Sequence, residues 1–195
     1  MTENEFKIML TESQYNAVHS LYAWDSAIEQ VNHYYDTKEL YYSDNHITVR
    51  VRTVLGKYLL QMKLPTDCGS AEVESAEKIA AVSRKELERE LDEIPEVISG
   101  SVLSEMSGIG GLPDARLLGR LSTIRSVKRF DGGEIDLDKS VYFGRTDHEL
   151  EVEFTDEAAA RKVLSDIEGH VALDTSAPVT GKIRRFLREY LRRGE

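Results

Sequence analysis

The chain begins with a two-residue rhythm. In TENEFKIML, residues 2–10, Glu3, Glu5 and Lys7 alternate with Asn4, Phe6 and Ile8, a period that predicts a strand. The rhythm then changes. Thr11 and Gln14 have capping-box spacing, and Leu10 with Tyr15 fits a hydrophobic staple, so a helix is expected to about Leu21 with Tyr15, Val18 and Tyr22 on its apolar side. Three strand-like segments follow, VNHYYDT, HITVRVRTV and KYLLQMKLP, the last two joined near Leu55-Gly56 as a hairpin. Residues 66–82 fit either a loop and strand or a helix start. Leu87, Leu91, Ile94, Ile98, Val102 and Met106 stand near helical spacing, so a helix is expected from about Leu87, kinked or divided at Pro95. SGIGGLPD reads as a loop. ARLLGRLSTIRSVKRF, GEIDLDKS and TDHELEVEF read as strands. TDEAAARKVLSDI reads as a helix capped by Thr155 or Asp156, and TGKIRRFLREYLRR as an amphipathic helix with Ile183, Phe186, Leu187, Tyr190 and Leu191 on one face. About eight strands with peripheral helices predict one α+β domain over residues 1–195, built on an antiparallel sheet.

The strands share a second property. Arg50 and Arg52 oppose Val49 and Val51; Asp136 and Asp138 oppose Ile135 and Leu137; Glu149, Glu151 and Glu153 oppose Leu150, Val152 and Phe154. Lys63 shares a face with Gln61, and Arg125 with Thr123. Taken singly, such a strand is a sheet with one wet face. Taken together, the strands segregate by sign and are numerous enough to close a barrel, whose polar face can point inward.

Composition narrows the class. The chain has 195 residues, 41% hydrophobic, with a formal net charge of −10. That charge argues against general nucleic-acid binding, which rests on phosphate neutralisation. No apolar run approaches the roughly 20 residues of a membrane span, and the charged start is unlike a signal peptide. The single cysteine, Cys68, excludes an intrachain disulfide framework, and a cytoplasmic location is expected. The five histidines lack the spacing of a zinc site, and TGKI lacks the upstream glycine of a phosphate-binding P-loop.

ENEFK matches the Glu-x-Glu-x-Lys signature of the CYTH superfamily, the triphosphate tunnel metalloenzymes. The likeness continues in order through VRVR, QMKLP, TIRS, DLD, ELEVE and GKIRR, and its layout is similar to that of the small single-domain bacterial members. The resemblance implies an eight-stranded antiparallel β-barrel with a charged tunnel and peripheral helices. It implies that Glu3, Glu5, Glu151 and Glu153 hold Mg²⁺ or Mn²⁺, with Asp138 near the metal. It implies that Lys7, Arg50, Arg52, Lys63, Arg125 and Lys182 bind a triphosphate. Arg84 and Glu86 resemble another charged family strand, although Ser83 and Glu86 also have capping-box spacing; Arg120 and Arg145 are further basic candidates.

The chemistry suits these residue types. Arginine forks and lysine point charges bind phosphate oxygens, and residues two apart on a strand, such as Arg50 and Arg52, stand about 7 Å apart on one face. Carboxylates alone repel phosphate but bridge to it through a hard cation. The expected reaction is in-line attack of water on a terminal phosphorus, with Glu5 or Asp138 positioning the water and Lys182 reaching the substrate. Cyclisation of ATP is the enzymatic alternative, and binding of polyphosphate or nucleotide without turnover the non-enzymatic one. Class IV cyclases carry an aromatic and histidine lead before the signature; here Met1 and Thr2 precede it, which favours hydrolysis. Lys182, Arg184 and Arg185 open the last helix, where cations oppose the helix dipole. An anion is therefore expected beside that turn, with Lys182 turned towards it.

Overall fold

The computed structural model describes residues 2–65, 82–175 and 179–194; the side chains of residues 2–4 and 82–84 are outside the description. Cys68 and residues 66–81 of the ambiguous segment 66–82 therefore lie outside the described residues, and Val82 begins β5. In chain order the elements are β1 (Thr2–Leu10), α1 (Glu12–Leu21), β2 (Ser26–Asp36), α2 (Tyr41–Asp44), β3 (Thr48–Val54), β4 (Lys57–Pro65), β5 (Val82–Leu91), β6 (Val97–Ile98), α3 (Gly100–Ser107), β7 (Ala115–Phe130), β8 (Gly133–Tyr142), β9 (Arg145–Phe154), α4 (Glu157–Glu168) and α5 (Lys182–Arg193).

All strand pairs are antiparallel, in the order β2-β3-β4-β5-β1-β9-β8-β7-β6. Because β2 also pairs with β7 from Ser26↔Val127 to Asp36↔Arg116, eight strands run round a tunnel. Around the tunnel, the lacing among the described residues is thinnest between β1 and β5, where two residue pairs meet. Two-residue turns make the tight hairpins. Leu55 and Gly56 both have positive φ, as do Phe143 and Gly144, the backbone that matches strand twist.

Register explains the charged faces. Glu5, Lys7, Asp136, Asp138, Glu149, Glu151 and Glu153 face inward. Phe6, Ile8, Ile135, Leu137, Leu150, Val152 and Phe154 face outward, where Val18 of α1 and Ala160, Leu164 and Ile167 of α4 cover them. A second external core joins Val49, Val51, Leu60, Met62 and Leu64 to Tyr42 of α2 and Leu103 of α3. The apolar core thus lies outside the tunnel, under the helices.

The helix expected from Leu87 does not form. Residues 82–91 are the strand β5, paired with β4 from Tyr58↔Leu91 to Pro65↔Arg84. Leucines four apart share a face in a strand as they do in a helix, so Leu87 and Leu91 could not separate the two periods. The capping-box spacing of Ser83 and Glu86 thus falls within a strand, where no helix starts. Pro95 lies between β5 and β6, and the helix begins only at the Ser99 cap. α1 has the expected capping box at Thr11 and Gln14, and α4 is capped by Asp156, not Thr155. β2 starts at Ser26, earlier than its apolar pattern suggests, because β7 pairs with it along its whole length.

α5 closes one end of the tunnel. Its Phe186 is fully buried among the inward-facing Tyr34, Leu121 and Tyr142, with ring centroids 4.9 Å from Tyr34 and 4.8 Å from Phe143. Gly119, at the register shift opposite Tyr34, has φ 153°, and a Cβ there would lie 3.0 Å from Phe143 and 3.3 Å from Phe186. The plug makes a stability prediction. Phe186→Ala should cost about 3–5 kcal/mol in urea unfolding, the usual range for emptying a buried aromatic site. A loss below about 1 kcal/mol would mean that α5 rests on the barrel without holding it.

Candidate functional site

Inside the tunnel, cations and carboxylates face each other across β1, β7, β8, β9 and the first turn of α5. Lys182 Nζ lies 2.7 Å from Asp138, 2.8 Å from Glu149 and 2.6 Å from Glu151. Lys7 Nζ lies 2.9 Å from Glu5 and 3.1 Å from Glu151. Arg125 donates to both oxygens of Asp138, at 2.8 and 2.7 Å, to Glu151 at 2.7 Å, and to Asp136. Arg185 donates to Asp147 at 2.8 Å and to Glu149.

Burial sets the electrostatics. It opposes the charge of Lys182, yet Glu149, Glu151 and Asp138 outweigh it and raise that pKa well above the ordinary lysine value. Lys7 is raised likewise, burial being overcome by Glu151, Glu149 and Glu5. Burial pushes Glu149 up; Glu151 goes down because Lys182 and Lys7 overcome its burial. Asp136 is pushed up to about 7 by burial, which Arg125 only partly offsets and neighbouring carboxylates reinforce.

The opposite wall is built differently. Arg50 donates to Gln61 Oε1 at 2.7 Å and meets Glu86 at 3.3 Å, and Lys63 meets Glu86 at 3.5 Å. Arg52 donates to Asn32 Oδ1 at 3.0 Å and has no carboxylate ion pair among the described residues. Burial, then the neighbouring Arg50, pushes its pKa down to about 10. A buried arginine destabilised in this way favours an anionic ligand.

Among the described residues, two groups of carboxylates are close enough to hold a cation. Glu5, Glu151 and Glu153 each offer an oxygen within 4.8 Å of the others, as do Glu134, Asp136 and Glu153. These are hard oxygen donors of the kind divalent Mg²⁺, Mn²⁺ or Ca²⁺ prefers. Asp136 is fully buried and its Oδ1 has no hydrogen-bond partner among the described residues, so the donor set fits such an ion.

The structure thus brings Glu5, Lys7, Arg125, Asp138, Glu151, Glu153 and Lys182 into one network, with Arg50, Arg52 and Lys63 on the facing wall. The side chains of Glu3 and Arg84 lie outside the described residues. Asp138 belongs to neither carboxylate group; Asp136 and Glu134 occupy that position instead. Arg120 and Arg145 do not join the tunnel: Arg120 is exposed and pairs in register with outward-facing His33, and Arg145 meets Glu189 at 3.4 Å. Sequence reasoning gave no site role to Glu149, Asp136 or Glu134, and placed Arg185 only in the basic first turn of the last helix. The signal for Glu149 and Asp136 was present, since each alternates in phase with an inward carboxylate.

The anion expected beside the first turn of α5 is supplied by the protein. Lys182 and Arg185 both meet Glu149, so that carboxylate offsets their clash with the helix dipole.

A model of the CYTH domain matches residues 1–176. The Bacillus subtilis (strain 168) protein named "Putative triphosphatase YjbK" is 30% identical over 190 residues, 96% of this chain and 95% of its own length. A solved structure described as a "putative adenylate cyclase" from Bacillus halodurans superposes with a TM-score of 0.70 at 22% identity, covering 95% of this chain and 97% of that one. Hippeastrum HpAC1, described as a "Putative adenylyl cyclase" that reveals a dominant triphosphatase activity, also gives 0.70, at 17% identity and 95% of each chain. These two likenesses establish the fold. Among the described residues no helix is long and apolar enough to cross a membrane.

The network makes a pH-dependent prediction. Lys182→Met should destabilise the protein by about 3–5 kcal/mol at pH 7, because three buried carboxylates lose a shared cation. Unfolded carboxylates ionise near pH 4. In the folded variant Glu149 and Glu151, which burial pushes up, hold protons to higher pH, so the folded state binds more protons and the variant's stability falls as pH rises. The gap to wild type should therefore narrow on acidification from pH 7 to 5 in denaturant titrations. A gap independent of pH would place the loss in packing.

Proposed function

The chain belongs to the CYTH domain family, and from that premise we propose that it hydrolyses a triphosphate inside the tunnel with the help of Mg²⁺ or Mn²⁺. The observation that carries this reading is the meeting of opposites in one tunnel: the Glu5–Glu151–Glu153 group beside Lys7 and Arg125, with Arg52, which has no carboxylate ion pair among the described residues, on the facing wall. The extensive likeness to a relative named as a triphosphatase supports hydrolysis.

Glu5, Glu151 and Glu153 would hold the metal, with Glu134 and Asp136 able to form a second group around Glu153. The ion neutralises phosphate charge and acts as a Lewis acid at phosphoryl oxygens. Arg52, Arg50 and Lys63 bind the phosphate chain from one wall, and Arg125 and Lys7 from the other. Glu5, on the accessible side of the network, positions the attacking water. Asp138 plays another part, since both its oxygens are engaged by Arg125 and one also by Lys182. It orients those two cations and leaves the water to Glu5. Lys182 stays protonated and stabilises charge developing on the phosphoryl oxygens.

The test is release of orthophosphate from a panel of triphosphates with Mg²⁺ or Mn²⁺. Chelation with EDTA should abolish it, and Glu153→Gln should lower kcat/KM at least a hundred-fold, roughly the loss expected when a key electrostatic group is removed, with an unchanged circular dichroism spectrum. Full activity in EDTA overturns the metal assignment. Formation of cyclic AMP from ATP as the dominant product overturns hydrolysis.

The basic wall has its own readout. Arg52→Ala should weaken tripolyphosphate binding roughly ten- to a hundred-fold, as expected for losing a charged hydrogen-bond partner, and weaken orthophosphate binding much less. Equal affinities in calorimetry would return Arg52 to a structural role.

A further inference from the structure

Arg50, Arg52 and Arg125 are held in the same way by different chemistry. Each stands directly opposite a shorter polar side chain on an adjoining strand and donates its Nε to it. Arg52 donates to Asn32 Oδ1 at 3.0 Å, Arg50 to Gln61 Oε1 at 2.7 Å and Arg125 to Asp138 Oδ1 at 2.8 Å. Fixing Nε orients the whole guanidinium, because its donors form one planar fork. Asp138 is a carboxylate; it accepts from Arg125 a second time, through Nη2 at 2.7 Å, and cancels its charge. Asn32 and Gln61 are neutral amides, and both are buried, with 2% and 3% exposure.

For stability alone a carboxylate would be the better partner, since hydrogen bonds between ions are roughly twice as strong as neutral ones. Arg125 and Asp138 show that this barrel can build such a pair. Opposite Arg52 it has an amide instead, and burial with the neighbouring Arg50 holds the pKa of Arg52 down to about 10. A local choice that costs stability is expected where a site is built for a ligand. Gln61 is an amide for a further reason. Its Nε2 donates to Glu88, directly opposite on β5, and a carboxylate at position 61 would meet Glu88 with like charge. We propose that Asn32 and Gln61 are positioning residues, which aim the forks of Arg52 and Arg50 into the tunnel and, being neutral, leave the charge of those arginines to an incoming phosphate chain. This assignment deepens the triphosphatase reading and rests on it for the identity of the anion.

The experiment uses the full chain and measures the calorimetric Kd of tripolyphosphate in EDTA, where no turnover is expected. Asn32→Asp keeps the acceptor and changes the charge. It should keep or raise the melting temperature and weaken binding roughly ten-fold or more, the scale of one charged hydrogen bond. An amide with a purely structural role predicts the first result without the second. Asn32→Ala and Gln61→Met should each weaken binding several-fold. Each should change it by less than about two-fold once its arginine is already replaced, Asn32→Ala in Arg52→Ala and Gln61→Met in Arg50→Ala, because residues acting through one partner are not additive. With Mg²⁺, all three variants should raise KM and keep kcat within about three-fold of wild type, the pattern of lost uniform binding. Wild-type affinity in Asn32→Asp, losses that persist undiminished in the arginine-to-alanine backgrounds, or a fall in kcat at unchanged KM overturn the assignment. If the Asn32 variants do not fold, Gln61→Met decides by the same criteria. If wild type binds tripolyphosphate but releases no orthophosphate with either metal, the triphosphatase reading fails and the Kd series alone decides the role of the amides. If wild type does not bind it, the role of the amides falls as well.

Discussion

Charge taken out of water must meet opposite charge, and the interior of this barrel is organised by that requirement. Glu149, Glu151, Asp136 and Asp138 are almost fully buried, a placement that would be prohibitive for isolated carboxylates. Lys7, Arg125, Lys182 and Arg185 make it tolerable by sharing themselves among several oxygens. Replacing such a network by apolar side chains is often neutral or stabilising. Its persistence here is therefore better explained by what the tunnel binds than by what holds the fold.

The rest of the architecture follows from filling the interior with ions. A strand has only two faces, so the apolar side chains must lie outside, where water would meet them. α1 and α4 cover one external face, and α2 and α3 another. α5 does a third job. Phe186 closes one mouth with an apolar contact, and the same helix carries Lys182 and Arg185 to the acidic wall. Closure of that end and completion of the network thus depend on one docked element.

Much of this was legible because period two survives in sequence whatever the sheet later does. The inward residues of β1, β3, β8 and β9 could be read directly from alternation, and the ordered motifs assigned them chemistry. Two things were not legible. Leu87 and Leu91 fit both periods, and only pairing with β4 makes 82–91 a strand. The partner of each ion was also hidden. Lys182 and Arg185 read as a basic turn awaiting an outside anion, whereas Glu149, thirty-three residues from Lys182, already satisfies them. Such a pairing is a property of barrel closure, and no local pattern encodes it.

On the proposed function, the network also couples its ligands. Lys7 lies within ion-pair distance of Glu5 and Glu151, two of the three carboxylates suited to a divalent cation. A cation held by those oxygens competes with Lys7 for them and leaves the ammonium short of negative charge. A phosphate chain in the tunnel restores that charge. Each ligand therefore lowers the free-energy cost of admitting the other, and linkage requires the effect to be reciprocal. The same logic applies on the facing wall. Arg52, held among the described residues by Asn32 and with its charge disfavoured by burial and Arg50, gains most from an incoming anion. The ionic interior is then stable without ligand because its own carboxylates and cations occupy one another, and it remains receptive because several of those contacts can be exchanged.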